Sequence, residues 1–168
     1  MPKIDEINED TDLAFLLFHY AEEVEGITKL QKLIFLLEEE TEFNDFHEKV
    51  NVEFEPYKYG PFSEQVYDEL ELLLSMGVVE EVETEYELDD IRNKEDSSSH
   101  ASKKFVLTER GQKAATEVNR ALEDEVQTQF EEVIEEYTEM DLETLLEYVY
   151  RQYPSYTTES EIKKDILG

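Results

Sequence analysis

The chain has 168 residues, no cysteine and no tryptophan, and 45 acidic against 15 basic residues, for a formal net charge of −30. That length suits one domain, or one domain with a helical extension, and the lack of cysteine excludes disulfides, thiolate metal sites and thiol nucleophiles. No run approaches the ~20 apolar residues of a membrane span, and the acidic start lacks the basic region of a secretory signal, so a cytoplasmic protein is expected.

Leu13, Leu17, Tyr20, Ala21 and Val24 share one helical face over residues 10–25, with Asp10 or Thr11 as cap and Gly26 as terminator. A second helix follows at once, with Thr28 and Gln31 as a capping box and Leu30, Leu33, Ile34 and Leu37 as its apolar stripe. Two helices on a short glycine turn give a helix-turn-helix signal. Residues 39–50 are polar and irregular, and Phe43 and Phe46 are expected under the core. Residues 51–58 alternate as a strand. Gly60 and Pro61 then make a stiff corner, since Pro61 fixes its own φ and restricts Gly60. Ser63 is placed to cap a helix running to Met76, with Val66, Leu70, Leu73 and Leu74 inward and Gly77 closing it.

Residues 78–88 and 103–107 read as the arms of a hairpin whose long polar tip spans 89–102. Thr108 caps what reads as one long helix, with a narrow stripe through Ala115, Val118, Leu122, Val126, Phe130, Val133 and Tyr137. Such a stripe needs a partner helix, in this chain or in a second copy. Asp141 caps a further helix that closes at Tyr153-Pro154, and Thr158 with Glu161 marks a last one. The expected fold is mainly α with a small β-hairpin. A winged helix-turn-helix core occupies 1–107, and a C-terminal helical extension, 108–168, packs on that core or forms a dimer interface.

Catalytic patterns are absent from the sequence. His19, His47 and His100 lack metal-ligand spacing. The serines at 97–99 have no identifiable base, and carboxylate pairs are too common in so acidic a chain to mark a glycosidase. No phosphate loop occurs. The expectation is therefore a non-enzymatic protein without metal or cofactor.

A charge of −30 repels itself strongly in a compact chain. The acids are spread along the whole length, and at about 1 M salt the Debye length falls to roughly 3 Å. This pattern reads as a halophilic surface; a nucleic-acid mimic is the counter-reading. Cations retained on such a surface carry information. Lys29 and Lys32 on the second helix, Lys58 before the corner, and Lys103 and Lys104 on the returning arm lie where a winged helix meets phosphates. Against DNA, the candidate recognition helix carries Glu64, Asp68, Glu69 and Glu71 and no Lys or Arg.

Three segments together, ITKLQKLIFLLE (27–38), FEPYKYGPFSEQVYDEL (54–70) with LLSMGVVE after it, and YVYRQYPSYTTESEI (148–162), carry a family resemblance. The chain resembles the YwgA-like winged-helix proteins over roughly residues 10–168. More weakly, in its first two segments, it is similar to the SocA-like antitoxin domain called Panacea. The resemblance implies a winged-helix core, a regulatory or binding role and no catalytic residues. It marks Lys29, Lys32, Lys58, Tyr59, Gly60 and Pro61 as signature positions, with Tyr59-Gly60-Pro61 as a structural motif. The first expectation is thus a DNA-binding transcriptional regulator adapted to high salt, a homodimer through the long helix, touching double-stranded DNA with Lys29, Lys32, Lys58, Lys103 and Lys104. The alternative is a protein-binding module, a SocA-like antitoxin or adaptor that does not contact DNA.

Overall fold

The structure, a computed structural model, describes residues 10–47, 50, 52–57, 60–83 and 103–156. In chain order the elements are α1 (Asp10–Ala21), β1 (Glu23–Glu25), α2 (Ile27–Glu39), α3 (Phe43–Phe46), β2 (Glu55–Tyr57), β3 (Gly60–Phe62), α4 (Glu64–Ser75), β4 (Val79–Glu83), β5 (Lys103–Leu107), α5 (Glu109–Arg120), α6 (Asp124–Thr138) and α7 (Leu142–Gln152), and a 3-10 turn at Pro154–Tyr156 follows. The chain is mainly helical with a small antiparallel sheet.

Two helices form the centre. Every residue from Leu13 to Phe18 of α1 is buried, because α2, α4, α5 and α6 surround that helix. On α2, all residues from Ile27 to Glu38 are buried except Lys29, which is half-buried. A helix apolar on nearly every side belongs inside a core. Val126, Phe130 and Ile134 of α6 join the same apolar cluster as Leu13 and Leu17 of α1. The helices after residue 108 therefore pack on the core.

The helix-turn-helix reading of residues 10–39 needs a correction. A short strand lies between the two helices. Glu22 takes a φ of 63° and ends α1, and Gly26, at φ 84°, leads into α2. Between them β1 pairs with β5, setting Val24 opposite Phe105, both buried. On its other side β5 pairs with β4, so the sheet order is β1-β5-β4. Apart from Val82, the exposed residues of the two outer strands are acidic: Glu23 and Glu25 on β1, and Glu80, Glu81 and Glu83 on β4. The expected capping box on α2 is also absent. Gly26 holds the N-cap position without a side-chain bond, and the Thr28 hydroxyl is buried without a partner.

The Gly-Pro corner is a strand. Gly60, Pro61 and Phe62 fold back on β2, with Pro61 opposite Pro56 and Gly60 opposite Tyr57. Two prolines facing each other fit a short two-stranded ribbon that extends no further. Lys58 and Tyr59 lie outside the described residues, as do the hairpin tip with His100 and the helix expected after Thr158. Of the first hairpin arm, residues 79–83 are strand and 84–88 lie outside the described residues.

The single long helix after Thr108 is two helices. α5 stops at Arg120, Ala121 to Glu123 break the path, and α6 begins at Asp124. The stripe through Val126, Phe130, Val133 and Tyr137 is buried in this chain's own core, so it does not offer a seam to a second copy. Phe43 is buried as expected, but Phe46 is 43% exposed.

Several local signals hold. Asp141 accepts from the Thr144 backbone N–H at 2.7 Å and Thr108 from that of Gly111 at 3.0 Å, each closing a helix N-terminus. Gly77, at φ 75°, ends α4 in a Schellman arrangement, with its N–H on the Leu74 carbonyl and the Val78 N–H on Leu73. Gly111 is required by a close approach. A Cβ there would stand 1.9 Å from the Val78 carbonyl oxygen and 2.7 Å from a Leu107 methyl. Gly111→Ala is expected to lower stability by about 2–3 kcal/mol, read as a lower urea midpoint at unchanged slope.

Candidate partner interface

The lysines chosen from the sequence do not form one outward face. Lys32 is 0% exposed in the middle of α2, a helix packed against α1, α4, α6 and α7. It cannot reach a phosphate in this fold. Lys29 directs its ammonium inward, donating to the backbone carbonyls of Thr138 at 2.8 Å and Met140 at 2.9 Å. A cation at that place satisfies carbonyls left open at the end of α6 and complements its dipole. Lys103 and Lys104 lie on β5, but each has an acid beside it: Lys103 with Glu83 at 3.1 Å and Lys104 with Glu23 at 3.4 Å. Of the signature positions Gly60 and Pro61 are in β3, and Pro61 is buried.

The outer face of α4 has a different character. Val66, Leu70 and Leu73 anchor the helix. Turned away from them, Glu64, Asp68 and Glu71 are exposed, followed by Leu72 at 46% and Met76 at 42%. Val82 on β4, an element that packs beside α4, is a further exposed apolar side chain. The helix contains no Lys or Arg.

The start of α4 is fixed by a side chain acting as a stretch of backbone. Gln31, buried on α2, donates to the Ser63 carbonyl at 2.9 Å and accepts from the Ser63 N–H at 3.0 Å. The glutamine amide thus supplies both bonds that a neighbouring strand would supply.

The densest polar cluster in the described residues is one that sequence reasoning missed. Glu40, at the C-cap of α2, accepts hydrogen bonds from three phenols: Tyr137 at 2.5 Å on one oxygen, and Tyr148 at 2.5 Å and Tyr153 at 2.7 Å on the other. A carboxylate at a helix C-terminus faces the negative end of the dipole, and the three O–H donors offset that placement. Burial raises the pKa of all three phenols, and their bonds to Glu40 raise it further. They therefore stay protonated and act as donors, tying α2 to α6 and α7. The signal available was composition: five of the ten tyrosines fall between 137 and 156.

The two described histidines, His19 and His47, each pack against neighbouring side chains. His19 stacks edge-on against Tyr20, and burial lowers its pKa against the pull of Glu22. His47 meets Glu123 at 2.7 Å. Tyr20, which donates to Asn119 at 2.6 Å, has its pKa pushed up to about 12, chiefly by burial. In comparisons with protein-family models, curated proteins and solved structures, the chain matches none.

Proposed function

We propose that this chain is a winged-helix protein-binding module of the SocA-like or YwgA-like kind, working at high salt and engaging a basic protein partner through α4. The order α1, β1, α2, α4, β4, β5 supports the winged-helix part, since β1 sits beside β5 and β4 pairs antiparallel with β5. On this reading α3 and the β2–β3 ribbon are an insertion between the second and third helices.

The outer face of α4 carries the functional part of the reading. In a DNA-binding winged helix this element meets the major groove. Here it would bring Glu64, Asp68 and Glu71 against phosphates, with no cation to offset them. Acids grading into exposed Leu72 and Met76 suit a protein surface with basic residues around an apolar spot. The lysines of β5 retain a second reading, because they lie on the strand entering α5 and could be released from their glutamates by DNA.

Two experiments at molar KCl separate the readings. Wild-type protein is expected to copurify with a basic protein, and Leu72→Glu with Met76→Glu is expected to abolish that association without changing the circular dichroism spectrum. If instead a defined double-stranded sequence is enriched from a random pool, and reversing Lys103 and Lys104 to Glu removes it, the chain is a DNA-binding regulator.

A further inference from the structure

A cavity of about 660 Å³ lies where the end of α2, residues 52–55, β3 and the start of α4 meet. Its volume is in the range of small-molecule sites. Five acidic residues line it: Glu38 and Glu39 from α2, Glu53 and Glu55 from the stretch leading into and starting β2, and Glu64 from α4. Phe54, Phe62 and Tyr156 supply aromatic surface, and no Lys or Arg lines it among the described residues. Ser63 belongs to the same wall. It occupies the N-cap position of α4, yet its hydroxyl caps nothing, is without a hydrogen-bond partner, and sits on a residue only 2% exposed.

We infer that this cavity binds an organic ammonium cation, carried by a free polyamine or by a lysine side chain. Carboxylates distributed around one cavity give it a negative potential, and an extended cation that passes near several of them in turn is attracted to it. The field is evident in the wall itself: burial raises the pKa of Tyr156, and Glu39 and Glu38 raise it further. Aromatic faces attract ammonium groups, and the Ser63 hydroxyl has a lone pair to offer once it turns toward the ligand. A compact metal ion fits less well. Among the described residues no group of three or more acids or histidines is close enough to share one. A long cation with separated charges can meet carboxylates that are spread apart. The acids are held in place from behind: Glu38 accepts from the Val52 N–H at 3.2 Å, and the Glu53 N–H donates to Gln65 at 2.8 Å. The site uses the first turn of α4, about 12 Å along the axis from Leu72, and does not depend on docking at the other end.

The test is calorimetric titration at molar KCl with spermidine, with a lysine-containing peptide, and with magnesium chloride. Saturable one-to-one binding is expected for an ammonium titrant and not for magnesium. Saturation by spermidine assigns the site to a free polyamine; saturation by the peptide alone assigns it to a partner's lysine. Glu53→Gln with Glu64→Gln, both on exposed side chains, should weaken binding at least about tenfold. Ser63→Ala should weaken it by about threefold or more while leaving the thermal midpoint in place, since no existing bond is lost. Leu72→Glu with Met76→Glu should leave this affinity unchanged, which keeps the cavity separable from the α4 reading. No saturation by either ammonium titrant, equal affinity for magnesium, or unaltered binding in the Glu53/Glu64 variant overturns the inference.

Discussion

Glu40→Ala is expected to lower the stability of the protein by about 3–5 kcal/mol, one of the largest effects of any single change outside the apolar core. Three phenols converge on this one carboxylate. Bonds to a charged acceptor contribute roughly 1.5–3 kcal/mol each, and a buried donor left alone has a further desolvation cost. The sum is not reached, because Tyr148 and Tyr153 are only partly buried and water can replace part of what they lose. Tyr137 is the most enclosed of the three, at the end of α6 beside the Tyr148 ring. Tyr137→Phe should therefore lose about 1–2 kcal/mol, and in the Glu40→Ala background almost nothing. Chemical unfolding of the two single variants and the double variant measures this. Independent, additive losses would mean that the cluster does not act as a unit.

The same phenols set an alkaline limit. Their pKa values are raised above the ordinary value near 10 in the folded state. The stability they contribute is complete below about pH 10, where folded and unfolded chains are both protonated. As pH rises beyond that, the unfolded chain ionises first and the contribution is progressively lost until the folded phenols ionise as well. Wild type should lose stability above pH 10 more steeply than Tyr137→Phe.

Dilution from molar KCl to about 0.1 M is expected to lower the thermal midpoint by about 15 °C or more, because the Debye length grows from roughly 3 Å to about 10 Å. The global charge of −30 is one cause. Local spacing is another. Glu131 with Glu135, and Glu132 with Glu136, are exposed like-charge pairs one turn apart on α6. Glu38, Glu39 and Glu40 crowd the end of α2, where the helix dipole disfavours each of them. Melting curves over a KCl series give the dependence. An equal rescue by sucrose, which strengthens burial without screening charge, would assign the effect to something other than repulsion.

Periodicity located the helices well and their surroundings poorly. The apolar spacing of α2 marked a stripe at Leu30, Leu33, Ile34 and Leu37, but nothing local says that a second layer covers the opposite side and encloses Lys32. That depends on elements far along the chain, α6 and α7 among those packed on α2. β1 was illegible for a related reason. Three residues are too few for an alternating signal, and the strand exists because β5 is there to receive it. The break at Ala121–Glu123 is masked by a heptad-like stripe that continues through it with little loss of phase. Caps were readable where a short side chain closes its own turn, at Thr108 and Asp141. At Ser63 the position was right and the bond was not, because Gln31 already fixes the backbone there. The Glu40 cluster joins residues about a hundred positions apart, and only the tyrosine density near the end hinted at it.

The acidic rims of the three-stranded sheet limit how copies of this chain can meet. Among the described residues β1 and β4 are the outer strands, and strand addition beside either would bring ladders of carboxylates into register across a gap of about 5 Å. In dilute buffer that contact is repelled outright. In brine the barrier shrinks, and Val82, exposed midway along β4, becomes its weakest point. Salt that screens the repulsion within the chain thus also lowers its guard against fibril-like self-templating, which leaves the glutamates of β4 as gatekeepers by sheer number.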